Sequence, residues 1–154
     1  MYKKIMVPLD GSTLAECVLP HVEAIANGCP VQELILLRIV EPERVYSVSD
    51  SSIDPNLAAA RESDCKKTAE DYLGEIADKI DAPGLTCTVK AIVGRVAESL
   101  VDYCVEKGVD LIIIATHGRS GVTRWVRGSV ADKILRSSKI PVMMIRAPGT
   151  EQGI

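Results

Sequence analysis

The chain has no phenylalanine and one tryptophan in 154 residues, so its core has to be aliphatic, built from Ile, Leu, Val and Ala. No apolar run approaches the roughly 20 residues that a bilayer span requires, so no membrane partner is expected. Met1-Tyr2-Lys3-Lys4 leads straight into a short apolar run without the hydrophobic segment of a signal peptide, and a cytoplasmic location is the expectation. The five cysteines (Cys17, Cys29, Cys65, Cys87, Cys104) form no CxxC pair, which argues against a zinc site and against a disulfide framework. Most of them read as small core hydrophobes. The two histidines, His21 and His117, lie far apart without HExxH-type neighbours, so no metal cluster is expected. GxxxxGK[ST] is absent, and so is GxGxxG after the first strand, which excludes a Walker-type phosphate loop and a dinucleotide-binding domain. Without GxSxG there is no nucleophile elbow. Asp54, Glu62 and Asp64 read as loop and helix-surface charges, and no catalytic residue is identified.

What is present is an ordinary globular composition, 47% hydrophobic and 25% charged, at a length that suits one domain over residues 1–147 with a loose tail at 148–154. The net charge of -3 gives no reason to expect nucleic acid. Its distribution is more telling. Between Ala115 and Lys139 stand Arg119, Arg124, Arg127, Lys133, Arg136 and Lys139 against Asp132 alone, a basic stretch suited to a small anion. Arg136 and Lys139 fit a solvated helix face.

Taken in order, Lys3–Leu9 reads as a first strand, with Pro8 at its C-terminal end because proline cannot donate to a ladder. Asp10-Gly11-Ser12-Thr13 is a turn, and Thr13 to Glu16 has the form of a capping box opening a helix that Pro20 should kink or whose boundary it should shift, and that Asn27-Gly28 should end. The helix stripe is Leu14, Val18, Val22 and Ile25. Glu33–Val40 is a strand buried on both faces. Glu41–Pro55 is a long polar loop, either a lid or an insertion. Pro55–Ile80 is helix, with Leu57, Ala60, Ala69, Leu73, Ile76 and Ile80 available for one face. Leu85–Val93 is an edge or near-edge strand. A helix follows Gly94, with Val96, Leu100, Val101 and Cys104 inward and Gly108 as its stop. Val109–Ile114, Ser129–Ser138 and Pro141–Ile145 complete a strand, a helix and a strand. Five strands alternating with four helices predict an α/β fold: a five-stranded parallel sheet, doubly wound with helices on both faces, Rossmann-like.

The centre of the functional reading is Ala115-Thr116-His117-Gly118-Arg119-Ser120-Gly121, continued by Gly128-Ser129. It lies between a buried strand and a helix, where parallel α/β folds place ligands. Gly118, Gly121 and Gly128 allow close backbone approach, and a helix opening at Ser129 points free N–H groups and a positive dipole end at the loop. A phosphate is the natural guest. Ser129-Val130-Ala131-Asp132 is also a capping box, so a helix cap accounts for Ser129 equally well.

From VPLDGS near the start to IPVMMIR near the end, the chain resembles a single-domain universal stress protein. The resemblance rests on the DGS turn, the ATHGRSG loop and the Gly128-Ser129 opening of the last helix, and covers residues 3 to 146. The family's nucleotide-binding branch carries G-x2-G-x9-G-[ST], and here Ala115 stands in place of the first glycine. An alanine fits if the backbone there is still extended and does not if positive φ is required. The resemblance implies an adenine nucleotide α-hydrolase-like fold and ATP as ligand, with any Mg²⁺ held by its phosphates. It implies Pro8, Leu9 and Asp10 near adenine and ribose, and Ile39 either against the base or as the last core residue of its strand. It places Ala115, His117, Gly118, Arg119, Ser120 and Gly121 around the phosphates, and Gly128, Ser129 and the Val130 N–H at the helix end. It further implies a stress-response regulator with at most slow ATP hydrolysis, and a homodimer formed through the Val142–Ile145 edge strand. The alternatives are a nucleotide-independent dimeric interaction module of the same fold, and an ATP α-hydrolase-type enzyme. The second is disfavoured because Asp10-Gly11-Ser12 lacks the second glycine of SGGxDS.

Overall fold

The computed structural model describes residues 2–42, 55–116 and 130–147. Strands β1 (Lys4–Pro8), β2 (Glu33–Val40), β3 (Thr86–Val93), β4 (Leu111–Thr116) and β5 (Val142–Arg146) form one sheet in the order β3-β2-β1-β4-β5, with every pairing parallel. A short 3₁₀ helix (Ala15–Val18) runs into α1 (Leu19–Gly28). Helices α2 (Pro55–Ala77), α3 (Val96–Lys107) and α4 (Val130–Ser137) follow. The predicted doubly wound α/β architecture is present.

The central strands are buried on both faces, so they read as continuous apolar runs rather than alternating ones. One core layer joins Ile5, Val7, Leu34, Leu36, Leu111 and Ile113 to Val18 and Val22 of the 3₁₀–α1 segment and to Leu73 and Ile76 of α2. The opposite layer joins Met6, Ile35, Leu37, Ile112 and Ile114 to Ala97, Leu100 and Cys104 of α3 and to Ala131 and Ile134 of α4. Among the described residues no aromatic, polar or charged side chain is fully buried. The five cysteines are free thiols, and burial among aliphatics pushes the Cys104 thiol up to about 12.

Several boundaries differ from those the periodicity predicts. The Thr13–Glu16 capping box does not form: the 3₁₀ helix has no side-chain cap, and Ser12 Oγ accepts from Ala15 N instead, at 3.2 Å. Pro20 causes no kink inside a helix, because it stands in the first turn of α1, where its missing N–H has no partner to lose. β4 begins two residues later than predicted. Gly108 adopts φ 64° as the cap of α3, and Val109 N returns to Cys104 O at 3.0 Å, which keeps Val109 out of the ladder. Ala97 rather than Val96 enters the core from α3. In α2 only Ala69, Leu73 and Ile76 are buried, whereas Leu57 is 48% exposed. Ala69 already packs near Val40, the last residue of β2, so the earlier turns of this 23-residue helix extend past the C-terminal edge of the sheet.

At the opposite edge, Asp110 at the start of β4 accepts from Lys3 N at 2.8 Å and Lys4 N at 2.9 Å, which ties β1 to β4. These two bonds hold its carboxyl below the ordinary aspartate value of 3.8. A lowered folded-state value stabilises the fold fully above the unfolded value, and the contribution is lost as pH falls through the folded one. Asp110→Asn is therefore expected to lower stability in urea unfolding at neutral pH, with the gap to wild type narrowing as pH falls below the ordinary aspartate value. A gap that is the same in neutral and in acid solution would contradict this account. In the core, Ile112→Ala is expected to cost about 2–5 kcal/mol in the same assay.

Candidate functional site

The chain winds outward from β1 through β2 to β3, then returns to place β4 on the other side of β1. The C-terminal ends of β1 and β4 thus flank the switch point, where an open parallel sheet leaves a crevice. Carrying the Met6–Ile112 register forward brings Asp10 level with Thr116. The segments expected at one edge do meet there: the Asp10-Gly11-Ser12 turn, the end of β2, Gly94 bonded from its N–H to Val40 O at 3.0 Å, and the end of β4.

The turn after β1 is built by its own side chains. Asp10 Oδ1 accepts from Ser12 N at 2.8 Å and from Ser12 Oγ at 2.6 Å, an arrangement that turns the backbone without help from a strand partner. Gly11 sits at φ +88°, a conformation L side chains avoid. Asp10 is thereby left exposed at the mouth of the crevice. Leu9 differs from the expected role. Its N–H continues the ladder to Leu37 O at 2.9 Å and its side chain is 2% exposed, so the side chain belongs to the core rather than to a ligand surface.

Ile39 is half-buried and packs on the layer that contains α4, and strand alternation puts Pro8 on that same side. Val130, the first residue of α4, is 37% exposed, while Ala131 and Ile134 behind it anchor the helix. Pro8, Ile39 and the N-terminal turn of α4 therefore share one side of the crevice. Asp132 in that turn accepts from Arg136 Nε at 3.0 and 3.1 Å, which offsets a negative charge that would oppose an anion at the helix end.

Ala115 lies inside β4 opposite Ile145, and no non-glycine residue among those described has positive φ. Its backbone is extended, so the extra methyl causes no strain. His117, Gly118, Arg119, Ser120, Gly121, Gly128 and Ser129 lie outside the described residues, as do Arg124, Trp125 and Arg127.

Three side chains at this edge have no site role in the sequence reading: Glu16, Arg38 and Tyr72. The Arg38 guanidinium carbon lies 5.4 Å from the Tyr72 ring centre, and the Tyr72 hydroxyl donates to Glu16 Oε1 at 3.0 Å. Burial, reinforced by the Glu16 bond, raises the Tyr72 phenol well above its usual range, so it remains a donor at neutral pH. The available signal was Arg38 itself, a charge inside the otherwise aliphatic run of residues 34–40.

The described residues contain no group of three or more potential metal ligands and no helix long and apolar enough to cross a membrane. The profile of the Universal stress protein family matches residues 1–146. Universal stress protein MJ0577 of Methanocaldococcus jannaschii is 26% identical, over 95% of this chain and 96% of the relative. The solved MJ0577 structure superposes with a TM-score of 0.77 at 27% identity, covering 96% of this chain and 98% of that one. A universal stress protein in complex with cAMP superposes at TM-score 0.63 and 21% identity, covering 94% and 97% of the two chains. The Arabidopsis thaliana family protein At3g01520 with AMP bound superposes at 0.59 and 15%, covering 98% and 96%. Such low identities carry the fold alone, but the family match spans nearly the whole chain, and the protein belongs to the universal stress protein family.

Proposed function

We propose that this protein binds an adenine nucleotide, ATP, in the crevice between the ends of β1 and β4, and that occupancy serves as a regulatory signal in a cytoplasmic stress response. The observation that carries this reading is the extended backbone at Ala115. It removes the one departure from the family's nucleotide pattern as an obstacle, on a strand end level with the Asp10 turn. Family structures with cAMP and AMP bound support an adenine nucleotide as the ligand class.

In this reading Asp10 accepts hydrogen bonds from the adenosine part, and Pro8 and Ile39 offer apolar surface to it. Leu9 contributes through its backbone. The run from Ala115 through His117, Gly118, Arg119, Ser120 and Gly121 leads the chain around the phosphates. Gly128, Ser129 and the N–H of Val130 complete the cradle at the start of α4. The phosphates would supply the ligands for Mg²⁺. No side chain is assigned to activate water, so the bound nucleotide acts as a signal rather than as a substrate turned over rapidly. The interaction-module alternative loses its main support with the extended Ala115.

Isothermal titration of protein freed of co-purified nucleotide tests the reading. ATP binding is expected, and Asp10→Ala and Gly118→Leu are each expected to weaken it by about tenfold or more. Ala115→Gly should leave the affinity within about twofold, since the backbone already has the required form. Absence of ATP affinity in the wild type would overturn the assignment.

The reading includes a homodimer through β5. The sheet's two outer strands are treated differently. On β3, Ala91 N donates to Glu70 Oε1 of α2 at 3.2 Å, so a helix side chain closes part of that edge. On β5, Met143 is 38% and Met144 45% exposed, and an apolar edge of this kind favours pairing with a second copy. Sedimentation at micromolar concentration is expected to give a dimer, and Met144→Lys a monomer. A monomeric wild type would contradict the interface.

A further inference from the structure

Arg38 has two close neighbours. A Cβ added to Gly11 would lie 3.0–3.1 Å from three atoms of its guanidinium, so the charged group packs directly on the glycine backbone. The second is the Tyr72 ring, at 5.4 Å to the centroid. A guanidinium is flat enough to stack in this way, and the aromatic quadrupole stabilises its charge. Tyr72 is itself tethered, since its hydroxyl donates to Glu16 Oε1 at 3.0 Å. The contacts join β2, the turn after β1, the 3₁₀ helix and α2 at the C-terminal edge. The carboxylates of Asp10 and Glu16 both act on Tyr72 alongside the single Arg38 charge, so the cluster is net negative and unsuited to hold an anion of its own.

We infer that Arg38 is a positioning residue for the nucleotide site: packed against Gly11 and the Tyr72 ring, it holds the Asp10-Gly11-Ser12 turn and so fixes the direction of the Asp10 carboxylate. The inference rests on the nucleotide reading for its consequence, but not for its geometry. Gly11 is needed twice over, for φ +88° and for the space the guanidinium occupies. Tyr72 links this turn to α2, whose first turns extend past the same edge.

Two measurements test it. In the ligand-free protein, hydrogen exchange of the Ser12 amide, which donates to Asp10 Oδ1, reads the turn directly. Arg38→Ala is expected to speed this exchange by about tenfold while amides in β1 and β4 keep their protection. Tyr72→Phe keeps the ring and should leave the exchange within about twofold. Arg38→Lys keeps the charge but not the flat stack and should restore only part of the protection; it also carries the test should Arg38→Ala fail to fold. In ATP titrations Arg38→Ala is expected to weaken binding by about tenfold, and this loss should shrink to under about twofold in an Asp10→Asn background, because residues acting through one group are not additive. Unchanged Ser12 exchange in Arg38→Ala, or fully additive losses, would overturn the inference. A wild type that does not bind ATP would overturn the nucleotide reading, and Ser12 exchange would still decide whether Arg38 holds the turn.

Discussion

The placement of β1 between β2 and β4 is the constraint on which the rest of this molecule depends. A parallel pair needs a crossover, and the chain makes its first two on one side of β1, passes across β1 in the third and makes the last on the other side. The strand in the middle must then be apolar on both faces, which Ile5, Met6 and Val7 satisfy with no accessible surface. The same placement opens the crevice beyond Pro8, because the helices that follow β1 and β4 pack on opposite faces of the sheet. Asp110 secures the arrangement from the other end by closing two N–H groups of β1.

The edge above that crevice is polar in a restrained way. Asp10 and Ser12 turn the chain with their own side chains, and Arg38 is stacked on an aromatic ring rather than extended into water. The aliphatic core favours this division. With no phenylalanine in the chain, no aromatic side chain among the described residues is fully buried, and Tyr72 is left half-buried, where a ring and a hydroxyl serve together. Tyr72 uses both, the ring toward Arg38 and the hydroxyl toward Glu16.

Membership of the universal stress protein family accords with this architecture. Three features lie at the margins of the candidate site. Ala115 stands within a strand, Asp132 is paired along its own helix with Arg136, and Arg38 reaches the turn from the neighbouring strand.

Much of the fold was legible in the residues. Apolar runs bounded by glycine, proline and charge mark all five strands, and Pro8 and Gly108 end their elements where their backbone chemistry requires. The Asp10-Gly11-Ser12 turn and the Ala115 strand end were legible too, as strand–loop junctions at a shared edge. What tertiary structure alone decided concerns groups distant in sequence. Only the pairing of β2 with β1 brings Arg38 to Gly11, and only the packing of α2 brings Tyr72 over Arg38. The failure of the Thr13–Glu16 capping box, the true start of β4 and the burial of Leu9 also depended on neighbours that periodicity does not see. Local pattern reports which face of an element is apolar. It does not report which distant group will meet that face, because that is set by strand order and by how far each helix overhangs the sheet.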